Sequence, residues 1–284
     1  MGAGMIRRNL TLAASLLLMG PGALRACTLW AATGVQGTLL AKNRDWRPDH
    51  RQSLKRVQPA SGFAYLGLFA EGDDEPGLKA GVNQQGLSIV SASSNLPRSE
   101  RAIQPGKHGV MAAILARYAS VEALEQDAGK VFSQARAGFF LVADRHRALV
   151  VEVGLEGAWS LRRCADGTVA HTNHYLDPDL AARYNVRIGA SSAARLARIQ
   201  DLLAQGGPFD LERFAALSRD RNDGPDNSLW RSGRECTLAS WIVDAPAAGA
   251  PRLRVVLANP GEPEVTRQFD LDEAFWKRTR PGSL

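Results

Sequence analysis

The junction at Cys27 most limits what this chain can become, because an export-like leader there passes directly into a strand-like series. Arg7 and Arg8 form a basic start, and Leu10 to Met19 (LTLAASLLLM) is an apolar run. Pro21 and Gly22 break that run, and Ala23-Leu24-Arg25-Ala26 leads to Cys27. This is the anatomy of a secretory signal peptide. The apolar run is too short to span a bilayer, which takes about 20 residues; a buried N-terminal helix is the rival reading. Arg7-Arg8-Asn9-Leu10 also fits a twin-arginine export signal. The expectation is a leader over residues 1–26, one domain over 27–284, and a periplasmic or secreted mature protein. No second apolar run is long enough to cross a membrane. The formal charge of +6 falls to +3 once Arg7, Arg8 and Arg25 leave with no acid among them, so basicity makes no case for nucleic-acid binding. With 45% hydrophobic and 23% charged residues the chain reads as globular rather than disordered or fibrous.

Beyond Cys27, short apolar segments separated by glycine or polar turns predict strands: CTLWAAT (27–33), TLLAKN (38–43), FAYLGLF (63–69) and LSIVSAS (87–93). Helical spacing of Val110, Ile114, Leu115 and Tyr118, continued by Val121 and Leu124, predicts a helix over 108–128. Strands follow at 138–144, 148–154, 158–163 and 167–173. A helix is expected over 191–203 with Ser191 or Ser192 as N-cap, and a shorter one over 210–217. TLASWIVD (237–244) and RLRVVLAN (252–259) read as the closing strands. The polar stretch 219–235 reads as a long exposed loop. Groups of strands alternating with groups of helices indicate an α+β layered domain with largely antiparallel sheets.

Cleavage after Ala26 would give Cys27 both a thiol and a free α-amine. The reference pKa values of the two groups, about 8.5 and 7.7–8, suit a nucleophile and base working near neutral pH. If 27–33 and 38–45 form a hairpin turning near Gly34 to Gly37, the residue opposite Cys27 is about residue 44, and Asp45 comes beside the new N-terminus. NRDW (43–46) alone reads as a polar strand end with a packed Trp. Opposite an N-terminal Cys, its carboxylate reads as the group that holds the amine. The remaining cysteines, Cys164 and Cys236, could pair or stay buried and inert; the odd total leaves one thiol for chemistry.

CTLW (27–30) and AKNRDW (41–46), followed by AGVNQQGLSIV (80–90), resemble the penicillin V acylase and choloylglycine hydrolase superfamily of N-terminal-nucleophile (Ntn) hydrolases. HTNHY (171–175), SSAARLARIQDLL (191–203) and TLASWIVD (237–244) continue the likeness in order, toward the isopenicillin N acyltransferase branch. The resemblance spans nearly all of 27–284. It implies a four-layer αββα sandwich of two stacked antiparallel sheets; the sequence itself, with no phosphate-binding glycine loop, dinucleotide fingerprint or ligand cluster, calls for no cofactor and no metal. The resemblance further implies Cys27 as nucleophile, Asp45 positioning its amine, Asn173 in the oxyanion hole and Arg195 organising the site's charge. Relatives supply another oxyanion donor just after the GLSIV-like strand, which here falls within Ser93, Ser94 and Asn95. Where bile-salt and penicillin V enzymes carry an Arg, this chain has Lys42, which keeps the charge without the two-pronged geometry, so those two substrates are not expected.

The function these readings support is hydrolysis of a linear amide through a thioester, with acyl transfer to an amine as the alternative on the same site. The partner is a small-molecule or peptide-like amide, and a homo-oligomer stays open. Leu24-Arg25-Ala26-Cys27 also resembles a lipobox, which would make Cys27 a lipid anchor on an exported binding protein. Arg25 fits that motif poorly, and a strand rather than a polar tether follows. Taken alone, Asn173 is a turn former and Arg195 a solvated helix residue. A Cys–His pairing through His108, His171 or His174 does not require the Cys at a cleavage junction. His171 and His174 lack further ligands at metal-binding spacing.

Overall fold

The first turn is dictated by glycine. Gly37 has φ of +120°, and a Cβ there would lie 2.3 Å from the Ala245 carbonyl oxygen, so only glycine lets the returning strand pass. The turn joins β1 (Cys27–Gly34) to β2 (Gly37–Trp46), and Cys27 pairs with Arg44, the register expected from the sequence. The computed structural model describes residues 26–72, 75–103, 109–278 and 280–284. The leader read from the sequence, apart from Ala26, and His108 lie outside the described residues.

The next elements are β3 (Arg51–Val57), β4 (Tyr65–Glu71), β5 (Gly77–Asn83) and β6 (Ser88–Ala92), then α1 (Arg98–Ile103), α2 (Val110–Arg117), α3 (Val121–Gln126) and α4 (Ala128–Phe132). Four strands follow: β7 (Gly138–Ala143), β8 (Ala148–Val153), β9 (Trp159–Cys164) and β10 (Gly167–His171). The chain continues through α5 (Pro178–Tyr184), α6 (Ala190–Ala204), α7 (Leu211–Ser218) and α8 (Gly224–Asn227). It ends with β11 (Cys236–Pro246), β12 (Arg252–Leu257), β13 (Val265–Asp270), α9 (Glu273–Arg278) and β14 (Gly282–Ser283). Among the described residues the strands form two antiparallel sheets, ordered β10-β1-β2-β11-β12-β13 and β14-β3-β4-β5-β6-β7-β8-β9.

The central strands are buried on both faces, and the two-residue period of a strand sorts their side chains between two cores. Cys27, Leu29, Ala31 and Leu40 point between the sheets, where Leu66, Leu68, Leu141 and Trp241 meet them. Trp30, Ala32, Leu39 and Ala41 point outward against Leu196, Ile199, Phe214 and Leu217 of α6 and α7. On the far side Ile89, Phe140, Leu149 and Val151 pack on Met111, Ile114, Leu124 and Phe132 of α2, α3 and α4. The result is the αββα sandwich.

Several expectations need correction. The helix expected over 108–128 is broken into α2, α3 and α4. Ser120 adopts an extended backbone and caps α3 by accepting from the Ala123 N–H, which starts a new helix without losing the apolar phase. Gly189, not a serine, occupies the N-cap of α6 and makes no side-chain cap bond. The stretch 219–235 is not a simple exposed loop: Ser228, Leu229, Trp230, Arg231 and Glu235 are buried. Neither does the chain close at β12. β13 extends the first sheet and β14 pairs with β3 in the second. β3 escaped notice because two of the three residues on its buried face, Gln52 and Arg56, are polar. Among the described residues no helix is long and apolar enough to cross a membrane.

Candidate active site

The pleat that divides the cores also divides the site. Cys27 begins β1 facing the gap between the sheets, on the same side as Lys42 and Arg44 of β2. These three, with Ser91, Ala92 and Ser93 from the β6 region of the other sheet, wall a cleft of about 420 Å³, within the usual size for a small-molecule site. Asn43 and Asp45 alternate to the opposite face, toward the helices.

On the helix side the backbone of Cys27 is tightly held. Its N–H donates to Asn173 Oδ1 at 2.9 Å. Its carbonyl accepts from Arg195 Nη1 at 2.7 Å, and the same nitrogen reaches Thr28 Oγ1 at 2.8 Å. Arg195 Nη2 donates to Asn173 Oδ1 at 3.1 Å, and its Nε to Ser191 Oγ at 3.3 Å. Arg195 is only 1% exposed. Burial pushes its pKa down to about 10, which leaves it a cation at neutral pH. Asn173 lies two residues beyond β10. Its own N–H donates to Ser192 Oγ at 2.9 Å, and its side-chain Nδ2 to the Ser93 carbonyl at 2.9 Å. Ser192, expected as a helix cap, instead orients Asn173.

Asp45 Oδ1 accepts from Thr237 Oγ1 at 2.7 Å, while Oδ2 has no hydrogen-bond partner among the described residues. A bulge between Thr237 and Ala239 in β11 brings Thr237 opposite Asp45, as bulges beside functional sites often do. Burial pushes the Asp45 carboxyl upward against the lowering pull of Arg231, Arg195 and Arg44. Arg231 is in turn paired with Glu235, both about 5% exposed. Neither Arg231 nor Glu235 was expected here, because a run of polar residues carries no sign that its charges neutralise each other in the interior.

The thiols separate cleanly. Cys27, Cys164 and Cys236 are all free. Burial pushes the thiols of Cys164 and Cys236 up. Burial also pushes Cys27 up, but the cations of Lys42 and Arg44 and the Asp45 backbone N–H outweigh it and hold this thiol below its usual value. Lys42 meets both the Cys27 sulfur and the Ser91 carbonyl, and burial lowers its own pKa. A cation within reach of a thiol lowers its pKa by roughly 1–3 units. Lys42→Met is therefore expected to move the pH midpoint of Cys27 alkylation by iodoacetamide upward by about one unit or more. An unmoved midpoint would assign the thiol's activation to other groups.

The sequence-derived candidates thus meet around Cys27, with one exception. Cys27, Lys42, Asp45, Asn173 and Arg195 are linked as described, and Ser93 joins them through its carbonyl. Asn95 does not line the cleft; its Nδ2 donates to Asn185 Oδ1 and the Arg187 carbonyl. The histidines are engaged elsewhere. His171 sits against Glu152 at 3.2 Å, and His174 contacts Ser192 Oγ at 2.8 Å, its pKa pushed down to about 4 by burial. Among the described residues no group of three or more His, Cys, Asp and Glu is placed to hold a metal ion.

The conjugated bile acid hydrolase from Clostridium perfringens, as a variant, superposes with a TM-score of 0.54 at 14% identity, over 86% of this chain and 97% of that one. An N-acylethanolamine-hydrolyzing acid amidase ortholog from Caenorhabditis elegans gives 0.52 at 13% identity, over 76% and 92%. At such identities the likeness is one of fold. No curated protein matches the sequence significantly. The family model of acyl-coenzyme A:6-aminopenicillanic acid acyl-transferase matches residues 32–262. That span is well over half of the sequence, and the chain therefore belongs to this family of enzymes on the Ntn-hydrolase fold.

Proposed function

We propose that the mature protein is exported, begins at Cys27, and cleaves a linear amide through a thioester on that residue. The observation that carries this reading is the placement of Cys27: thiol in a cleft beside two cations, main-chain nitrogen 2.9 Å from Asn173 Oδ1. Release of the leader turns that nitrogen into an amine with protons to spare. One stays on Asn173 Oδ1, and Asp45 Oδ2, otherwise unpartnered, is the acceptor for another. The amine takes the thiol proton as base, and the thiolate attacks the amide carbonyl. An Asn173 side-chain N–H and backbone donors hold the resulting oxyanion. The C–N bond breaks as the α-ammonium returns its proton to the leaving amine. Water then resolves the thioester and releases the acid. An amine acceptor in place of water would make the same site an acyltransferase.

The test begins with the N-terminus and intact mass of the exported protein, followed by a panel of linear amides scored by release of free amine. Mature chains beginning with unmodified Cys27 are expected to turn over members of the panel, and chains that retain a residue before Cys27 are not. A diacylglyceryl mass on Cys27, or full turnover with its amine still in a peptide bond, would remove the proposed base and the reading with it.

A further inference from the structure

The backbone ladder that leads to Asn173 stops short of it. β10 pairs with β1 as far as His171, opposite Leu29, and Asn173 lies beyond that end. Ser192 of α6 holds the middle of the segment 171–177 by accepting the Asn173 N–H. The two ends of the segment are held from the other sheet, by one carboxylate. It belongs to Glu152 in β8, whose other residues are apolar (ALVVEV). Ala148 and Val150 point between the sheets, so the two-residue period of the strand sends Glu152 the same way, and it is buried there. An acid in such a place is costly unless its oxygens are filled.

Here they are. Glu152 Oε1 accepts from His171 Nε2 at 3.2 Å and from the N–H groups of Leu176 and Asp177 at 3.1 Å each. Oε2 accepts from the Leu176 N–H at 2.9 Å. The His171 ring lies 4.3 Å from that of Phe139 in β7, and its Nδ1 donates to the Thr172 carbonyl at 3.0 Å. Tyr175, inside the segment, adds a bond from its hydroxyl to the Val153 carbonyl of β8 at 3.0 Å. The segment is thus tied to β8 on both sides of Asn173, whose side chain meets the Cys27 N–H and the Ser93 carbonyl. Glu152 does not line the cleft. Any effect it has on the chemistry must pass through this segment.

We infer that Glu152 is a positioning residue for the reaction at Cys27: by clamping His171, Leu176 and Asp177 it sets the place of Asn173, and with it the hold on the amine and on the oxyanion. This rests on the proposed reaction and adds to it a group from the second sheet. The nucleophile and Asn173 both ride on ends of first-sheet strands, and Glu152 fixes one of those ends against β8.

The test is a double-variant cycle on an amide that the mature protein turns over. Glu152→Gln is expected to lower kcat by about tenfold to a hundredfold, the scale of a small misplacement, with KM within about twofold. In an Asn173→Ala background the same substitution should cost less than about twofold, because the group it displaces is already gone. A residue that only stabilises the fold would lower kcat by the same factor in both backgrounds, and that result overturns the inference. An unchanged kcat for Glu152→Gln alone overturns it too. Should Glu152→Gln fail to fold, Glu152→Asp takes its place in the cycle, since it keeps the charge and withdraws the oxygens by one methylene. A second measurement leaves catalysis aside, in a chain that starts at residue 27 and carries Cys27→Ala. The amides of Asn173 and Tyr175 bond to Ser192 and Asn185 rather than to Glu152. Glu152→Gln should speed their hydrogen exchange by about tenfold or more while the amides of β1 and α6 keep their rates. Such local loosening upholds the clamp even if Cys27 proves not to be the nucleophile. Exchange that is unchanged, or faster across the whole first sheet, overturns it.

Discussion

A chain that starts at residue 27 and carries Cys27→Ala is expected to lose amide turnover by at least about 10,000-fold, the scale seen when a covalent nucleophile is removed, while keeping its fold. The chemical part of this expectation comes from the sulfur's setting. Lys42 and Arg44 hold the Cys27 thiol low, whereas the thiols of Cys164 and Cys236 are pushed up by burial and lie at other strand ends. Neither can take over the attack. The structural part comes from the size of the deletion. One sulfur atom leaves the core between the sheets, a loss on the order of 1 kcal/mol, which lowers the melting temperature by only a few degrees in a protein of this size. Cys27→Ser separates the two contributions further: its hydroxyl fills nearly the same space, but no cation at this site can ionise it at neutral pH. Steady-state turnover on an amide accepted by the unaltered protein, alongside thermal melting, reads both quantities. Retained turnover in Cys27→Ala would place the nucleophile elsewhere.

The hairpin that carries this residue is legible in the sequence, and the reason is physical. The tight turn at Gly34 to Gly37 joins two apolar runs, and pairing outward from it puts residue 44 opposite Cys27. The layer order followed from strand and helix grouping. Other features left weaker traces. The apolar phase of Ile114 and Leu115 continues through Val121 and Leu124, so the break capped by Ser120 is invisible to periodicity. The bulge that aims Thr237 at Asp45 depends on pairing with β2, and nothing in TLASWIVD announces it. Asp177-Pro178 at the start of α5 is a readable signal, a capping carboxylate before a proline in the first turn. Arg231 and Glu235 were hidden more deeply. Composition marks them as solvent-facing, and only the folded site supplies the mutual charge that lets them be buried.

That shared charge sets the other large expected effect. Arg195→Met is expected to destabilise the protein by about 3–5 kcal/mol, the usual result of removing one member of a buried charge cluster. A melting temperature lower by roughly 10 °C would follow. Four acceptors each lose a donor: the Cys27 carbonyl, Thr28 Oγ1, Asn173 Oδ1, which keeps only the Cys27 N–H, and Ser191 Oγ. Asp45 loses one of the cations that oppose the burial of its carboxylate, while Arg231 remains committed in part to Glu235. Turnover should fall further than the loss of folded protein explains, because Arg195 also fixes the Cys27 carbonyl and the Asn173 side chain. The double variant Arg195→Met with Asp45→Asn distinguishes the causes. If uncompensated charge dominates, neutralising Asp45 recovers much of the stability but none of the activity. If the lost hydrogen bonds dominate, the double variant melts no higher than Arg195→Met alone. An Arg195→Met protein with unchanged melting and turnover would contradict both, and would make Arg195 a bystander beneath the nucleophile.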